Sequence, residues 1–140
     1  NLVGFYLDLI DDLWNTDPGL NDNAKIIGFD LTLVPNLMES EKAALIYLAA
    51  NHYEMETMAG TFEELSEQGY IDKEKLHWED GILFMIEVTQ DNQKEHPNER
   101  KFSFNAQKWR SGTGAYFFQD CTAEYRDGDW SYNVGSEMIS

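Results

Sequence analysis

The stretch that decides the fold is AYFFQDCTAEYRDGDWSYNV, residues 115–134. Apolar and polar side chains alternate on both sides of the pair Asp127 and Gly128, which is the pattern of two strands joined by a tight turn. Aspartate and glycine suit a two-residue hairpin turn because both central positions need a positive φ. The sequence therefore predicts an antiparallel hairpin at the end of a larger sheet.

Further strand-like segments precede this hairpin. Residues 76–78 and 82–88 flank Asp80 and Gly81, a second hairpin signal, and residues 102–104 alternate again. The glycines at 112 and 114 predict a bulge or bend, and the polar residues 89–99, which include Pro97, predict a solvated loop. We expect residues 76–134 to form one antiparallel sheet of four or five strands.

The first half of the chain has helical periodicity. Residues 2–14 predict a helix whose apolar positions lie on one face: Leu2, Phe5, Tyr6, Leu9, Ile10 and Leu13. Residues 27–33 alternate and predict a short strand. Asn36 with Glu39 resembles a capping box that opens a helix running through Glu41 to about Asn51, with Ala43, Ile46, Tyr47 and Ala50 directed inward.

A third, shorter helix follows. Thr61 with Glu64 forms a better capping box, and Gly69 is suited to end the helix in a left-handed conformation. Helices followed by a run of strands are typical of a layered α+β fold. We expect residues 1–140 to form a single α+β domain in which the N-terminal helices pack on a curved antiparallel sheet.

Charge and composition exclude several classes of partner. The chain has 140 residues, 42% of them hydrophobic, and carries a net charge of −16. A nucleic-acid or anionic-membrane partner needs a basic surface, so we expect neither. No apolar run is long enough to insert in a membrane. Cys121 is the single cysteine and lies among apolar neighbours, so we expect it to be buried and unreactive.

The sequence contains no catalytic constellation that we can identify. His52, His77 and His96 lack the spacing of paired zinc ligands, and His77 is expected to face water. Asp8, Asp11 and Asp12 suit either a solvated helix face or a hard-cation site. We expect no catalytic residue, no cofactor and no tightly bound metal.

One region stands out as a candidate ligand site, formed by Trp109, Arg110, Tyr116 and Phe118. Arg100, Lys101, Lys108 and Arg110 concentrate positive charge in an acidic chain, and alternation places Lys108 and Arg110 on one strand face with Trp109 on the other. Arg110 is a forked donor suited to a carboxylate or phosphate. In the alternative interpretation the rings belong to the core and Arg110 pairs with an acid such as Asp120.

Several segments resemble a known but uncharacterised family. Residues 60–71, 79–81, 108–118 and 135–140 look like an extracytoplasmic domain of Gram-positive secreted or membrane-anchored proteins, also found with chains similar to β-lactam-sensor-type membrane metallopeptidases. The His-Glu-x-x-His motif of such peptidases is absent from this sequence. The order of elements also resembles the nuclear transport factor 2-like, or cystatin-like, fold, which is cone-shaped.

The resemblance and the lack of a catalytic constellation lead to one functional expectation. We expect a non-enzymatic, extracytoplasmic module that binds a small molecule or a protein, or serves as a sensor. Two alternatives stay open: a small hydrolase or isomerase with a pocket in the concave sheet face, and a structural domain that self-associates, for instance as a homodimer.

Overall fold

The structure is a computed structural model that describes residues 1–92, 95 and 98–140. Its helices are α1 (Leu2–Trp14), α2 (Glu39–Tyr53) and α3 (Phe62–Glu67), with a 3-10 turn at Pro18–Asn21. Its strands are β1 (Ile26–Leu33), β2 (Glu56–Ala59), β3 (Gly81–Asp91), β4 (Lys101–Ser111), β5 (Gly114–Arg126), β6 (Asp129–Asn133) and β7 (Ser136–Ile139). The predicted α+β class is confirmed.

In the described part of the chain, the seven strands form one sheet that is not closed into a barrel. The strand order is β2-β1-β3-β4-β5-β6, and β7 also pairs with β5. β1 runs parallel to both β2 and β3, while the other pairs are antiparallel. The sheet is therefore mixed. Parallel neighbours need a crossover connection, and α2 provides it between β1 and β2.

The two faces of the sheet carry separate apolar clusters. On one face, α1 buries Phe5, Leu9 and Leu13 in the main core with Phe29 and Phe84. On the opposite face, α3 and residues 68–80 bury Leu65, Ile71 and Trp78 against Leu83. Neighbouring strand residues such as Leu83 and Phe84 belong to different clusters because strand side chains alternate between faces.

Several local predictions are confirmed. α1 buries five of its predicted inward residues: Phe5, Tyr6, Leu9, Ile10 and Leu13. Thr61 and Glu64 form the reciprocal capping box of α3, and Gly69 has a φ of +87°. Asp127 and Gly128 both have positive φ in the turn between β5 and β6. Cys121 is buried, and His77 is exposed.

The predicted hairpin at Asp80 and Gly81 is wrong. Residues 76–78 form no strand, and Gly81 opens β3 beside the parallel strand β1. A side chain at Gly81 would place its Cβ 1.9 Å from Cε2 of Trp78. This glycine is therefore required because an indole ring packs on its backbone, and not because a turn needs a positive φ.

The predicted start of the second helix is wrong, and its predicted inward face is correct for Ile46, which packs against the main core, but wrong for Ala43 and Tyr47. α2 begins at Glu39, and Glu41 rather than Glu39 reaches back to accept a hydrogen bond from the Met38 amide at 2.8 Å. Leu45 and Ala49 are buried, whereas Tyr47 is 67% exposed. The apolar residues of α2 itself are distributed around most of the helix, so the sequence pattern did not define which face is buried.

Two further differences lie in the C-terminal half. Residues 112 and 113 form a tight turn joining β4 to β5, where Ser111 pairs with Gly114, and the predicted irregularity lies beside it as a register shift between Trp109 and Ser111. Strand β7 was not predicted. The predicted loop at 89–99 begins later, since β3 extends to Asp91, and His96 and Pro97 lie outside the described residues.

Candidate functional site

The four residues predicted as a ligand site do not share one surface. Trp109 lies on the α3 side of the sheet, where its ring meets Phe62 edge-on at 5.2 Å. Tyr116 and Phe118 lie on the other face and contact each other edge-on at 5.9 Å. Phe118 is buried in the main core, and the Tyr116 hydroxyl donates to Glu137 Oε1 at 2.8 Å.

Arg110 is engaged by the backbone of its own chain. Its guanidinium donates to the carbonyl oxygens of Trp78 at 2.8 Å, Leu20 at 2.9 Å, Asp22 at 2.7 Å and also Glu79. Burial lowers the pKa of Arg110 from its ordinary value. The side chain thus connects the segments before β1 and before β3, and its predicted role as a ligand anchor stays a prediction.

Lys108 is a second internal tether and has no exposed surface. Its ammonium donates to the carbonyl oxygens of Trp14 at 3.0 Å and Asp17 at 3.3 Å, and to Asn21 Oδ1 at 3.0 Å. Burial lowers the pKa of Lys108 to about 8. Arg100, at the other end of β4, lies over the ring of Tyr125. The predicted concentration of positive charge is therefore divided, because Lys108 and Arg110 are internal tethers while Arg100 and Lys101 are exposed.

The aspartates of α1 also hold the fold together. Asp11 accepts hydrogen bonds from the Tyr53 hydroxyl at 2.8 Å and lies 3.3 Å from His52 Nε2, and Asp12 accepts from the Tyr132 hydroxyl. Burial, followed by the bonded aspartate, raises the pKa of Tyr53 and of Tyr132. Within residues 1–92, 95 and 98–140, no three His, Cys, Asp or Glu side chains are arranged to hold a metal ion.

A groove of about 740 Å³ lies between α2 and the adjoining parts of β1 and β2, and we call it the α2 groove. Its volume is in the range of protein ligand sites. Its apolar lining comes from both strands and from the helix: Phe29, Leu31, Ala43, Ile46, Tyr47, Met58 and Ala59. Its polar lining consists of Thr32, Glu39, Lys42, Thr57 and Glu64, with Gly60 completing the wall.

The groove exists because β2 is half as long as β1. β2 pairs with residues 26–29 of β1, and the last backbone bond is donated by Gly60 N to Phe29 O at 3.0 Å. The chain then turns into α3 at Phe62. Within the described residues, no strand pairs with residues 30–33 of β1 on this side, although β3 pairs with them on the other.

The polar groups of the groove are held by local bonds. Lys42 Nζ lies 3.3 Å from Glu39 Oε1, with 17% of the lysine side chain exposed against 92% of the glutamate. Glu64 accepts from the Thr61 amide at 3.0 Å, and Thr57 Oγ1 donates to Ile46 O at 3.3 Å. Apolar walls with a few fixed polar groups are suited to bind and orient a ligand.

Sequence reasoning assigned the groove residues of α2 to the core. Ala43 and Tyr47 were expected to face inward, yet both are exposed and line the groove. A usable signal was present, because residues 43–50 are apolar without interruption and one helix face cannot bury all of them. The exposed Met38 and Leu48 near this region reflect the same excess of apolar residues.

Comparison with known proteins finds no matching family model, no matching curated protein and no matching solved structure. Within the described part of the chain, no helix is both long and apolar enough to cross a membrane.

Proposed function

We propose that this chain is a non-catalytic, extracytoplasmic binding module that takes apolar groups of its ligand into the α2 groove. The observation that carries the proposal is the groove itself, which leaves apolar side chains of α2 and β2 accessible above the buried residues Phe29 and Leu31 of β1. The hydrogen bonds of Lys108, Arg110 and Asp11 support it as well. These charged side chains bind other parts of the same chain and stabilise the fold, so they do not form a rival ligand site.

Two neighbouring alanines of α2 provide a matched test. Ala43 lines the groove, whereas Ala44 is exposed on α2 outside it. An indole at position 43 fills the groove, and an indole at position 44 adds the same apolar area elsewhere. We expect wild type and Ala44→Trp to bind the neutral dye Nile red with similar affinity, and Ala43→Trp to bind it about tenfold more weakly.

The measurement is a fluorescence titration of Nile red with each folded protein, with circular dichroism to confirm that both variants keep the fold. Equal dye binding by Ala43→Trp and Ala44→Trp would rule out the groove as the apolar binding site. The same result would contradict the proposed function, because that function rests on the α2 groove as the binding site.

A further inference from the structure

We infer that the ligand of the α2 groove is a small monocarboxylate with an apolar body, and that Lys42 binds its carboxylate. This inference rests on the proposed function and adds the chemical class of the ligand. Three features carry it: the burial of Lys42, the weakness of its present ion pair, and the position of Lys42 at one end of an apolar lining.

Lys42 is a mostly buried cation in the wall of the groove. Only 17% of its side chain is exposed, whereas 92% of the Glu39 side chain is exposed and Glu64 is also exposed. An ammonium group has three donors. Among residues 1–92, 95 and 98–140, Lys42 Nζ has one acceptor, Glu39 Oε1 at 3.3 Å. Two donors of Lys42 therefore remain for a ligand.

The ion pair between Lys42 and Glu39 can be replaced. The two residues lie three positions apart on α2, and the glutamate side chain is almost entirely in water. Exposed pairs of this kind are weak because solvent screens the charges and the side chains lose freedom. A carboxylate held in place by the apolar walls would make a charge-assisted bond to Lys42 without that loss. Glu39 can then turn into solvent.

The other polar groups of the lining have partners or are hydrated. Thr32 Oγ1 donates to Asp30 Oδ1 at 2.6 Å, and Thr57 Oγ1 donates to a carbonyl oxygen of α2 at 3.3 Å. Glu64 accepts an amide hydrogen bond at 3.0 Å in the capping box of α3. Tyr47 is 67% exposed, so water reaches its hydroxyl. Lys42 is therefore the group of the lining best placed to bind a charged acceptor.

The charged end of the groove lies at the start of α2. Glu39 and Lys42 belong to the first turn of the helix, and Ile46 follows Lys42 by four residues, or about 6 Å along the helix axis. Ala43 lies between them, and Met58 of β2 lines the same groove. A ligand whose carboxylate meets Lys42 can thus place its apolar body along Ala43, Ile46 and Met58.

The net charge of the chain does not reverse this preference. The chain carries −16, but at about 0.15 M salt, charges more than about 8 Å apart in solvent are largely screened. Direct contact with the mostly buried Lys42 is screened much less. A cationic head group at the same place would meet an ammonium inside the groove, so charge complementarity favours the anion over the cation.

The test compares three ligands that share one alkyl chain: decanoate, decanol and decylammonium. Isothermal titration calorimetry measures their binding to the wild-type protein at about 0.15 M salt, below the concentrations at which they form micelles. We expect decanoate to bind about tenfold more tightly than decanol, and decylammonium to bind more weakly than decanol.

Two lysine variants form the matched pair. Lys42→Met and Lys25→Met each remove one positive charge, and Lys25 is exposed outside the groove. Lys42→Met should weaken decanoate binding about tenfold while changing the binding of decanol and Nile red by about twofold or less. Lys25→Met should bind all three as wild type does. Circular dichroism checks that both variants keep the fold.

Failure of this inference is separable from failure of the proposed function. If Nile red binds in the groove but decanoate binds no better than decanol, the binding module stands and the carboxylate inference is overturned. Tightest binding of decylammonium, or equal effects of Lys42→Met and Lys25→Met on decanoate, also overturns it. Decanoate binding that is insensitive to Ala43→Trp places the ligand outside the groove and overturns it too.

Discussion

The two long strands nearest the margins of the sheet, β5 and β1, are completed in different ways. β5 is paired on its outer side by β6 over residues 122–126 and by β7 over residues 116–119. β1 is paired on its outer side by β2 over residues 26–29, and the described chain adds no strand beside residues 30–33. One strand is thus covered along most of its length, and the other is covered along half.

The difference follows from what the chain does after each short strand. Beyond β6 it turns at Gly135, whose amide donates to Gln119 O at 3.0 Å, and returns to β5 as β7. Beyond β2 it enters the capping box of α3 within two residues, so the strand cannot continue. Natural sheets protect their edges against unwanted pairing, and here the register of β1 shifts between Asp30 and Leu33. The Thr32 amide donates to Asp30 Oδ1 at 3.0 Å, and the Leu31 carbonyl accepts from Val34 at 3.3 Å.

The largest expected effect comes from breaking the inner support of β1. Gly81→Ala would place a Cβ 1.9 Å from the fully buried indole of Trp78, beside the pairing of Ile26 with Gly81. We expect the free energy of unfolding to fall by about 3 kcal/mol, the upper part of the range for overpacked cores. Urea denaturation measures this change.

The matched glycine is Gly4, where an added Cβ has no neighbour within 4 Å. Gly4→Ala should stabilise the protein by about 0.5–1 kcal/mol, because alanine is the better helix former. Similar stabilities for the two alanine variants would show that Trp78 does not pack on Gly81 as described.

An intermediate effect is expected at the covered edge of β5. Gly135→Ala would bring a Cβ to 2.5 Å from the backbone oxygen of Asp120, which cannot move without disturbing β5. We expect a loss of about 1–3 kcal/mol and the detachment of β7. In hydrogen exchange, residues 116–119 should lose protection, while residues 122–126, which β6 covers, keep it. Uniform loss along β5 would mean that β7 does not cover its edge independently of β6.

A smaller effect is expected from Lys108, which lies between the two edges. Its pKa is about 8 when folded and 10.5 when unfolded, so the unfolded state binds more protons between these values. The free energy of unfolding should therefore rise with pH through this window, by about 1 kcal/mol from pH 7.5 to pH 9. Above pH 9 the buried thiol of Cys121, with its pKa raised to about 11, acts in the opposite direction.

Lys108→Met should remove this rise, and Lys101→Met, at an exposed position of the same strand, should retain it. The comparison needs urea denaturation of the three proteins at several pH values between 7.5 and 9. A rise of equal size in Lys108→Met would exclude Lys108 as its source.

The parts of the fold that local pattern determines were predictable. α1 shows a clear helical period, and the hairpin of β5 and β6 combines alternation with a turn that requires positive φ at Asp127 and Gly128. The pairing of Gly81 was not predictable in this way, because the ring that demands it acts through space. The same Asp-Gly pair therefore forms a hairpin turn at residues 127–128 but precedes and opens a strand at residues 80–81.

The candidate site was less accessible to sequence reasoning than the fold. Arg110 was singled out as a ligand anchor, which stays a prediction, and its backbone acceptors lie near residues 20–22 and 78–79, which only the folded chain brings together. The α2 groove depends on the early end of β2 and on which side of α2 faces outward. Neither is set by periodicity, since the apolar residues of α2 surround the helix.

The most direct measurement of the central claim is a set of intermolecular nuclear Overhauser effects between the labelled protein and bound Nile red. Dye in the α2 groove should show contacts to Ala43, Ile46 and Met58, which line the groove. Contacts confined to residues outside the groove, with none at Ala43, Ile46 or Met58, would contradict the account.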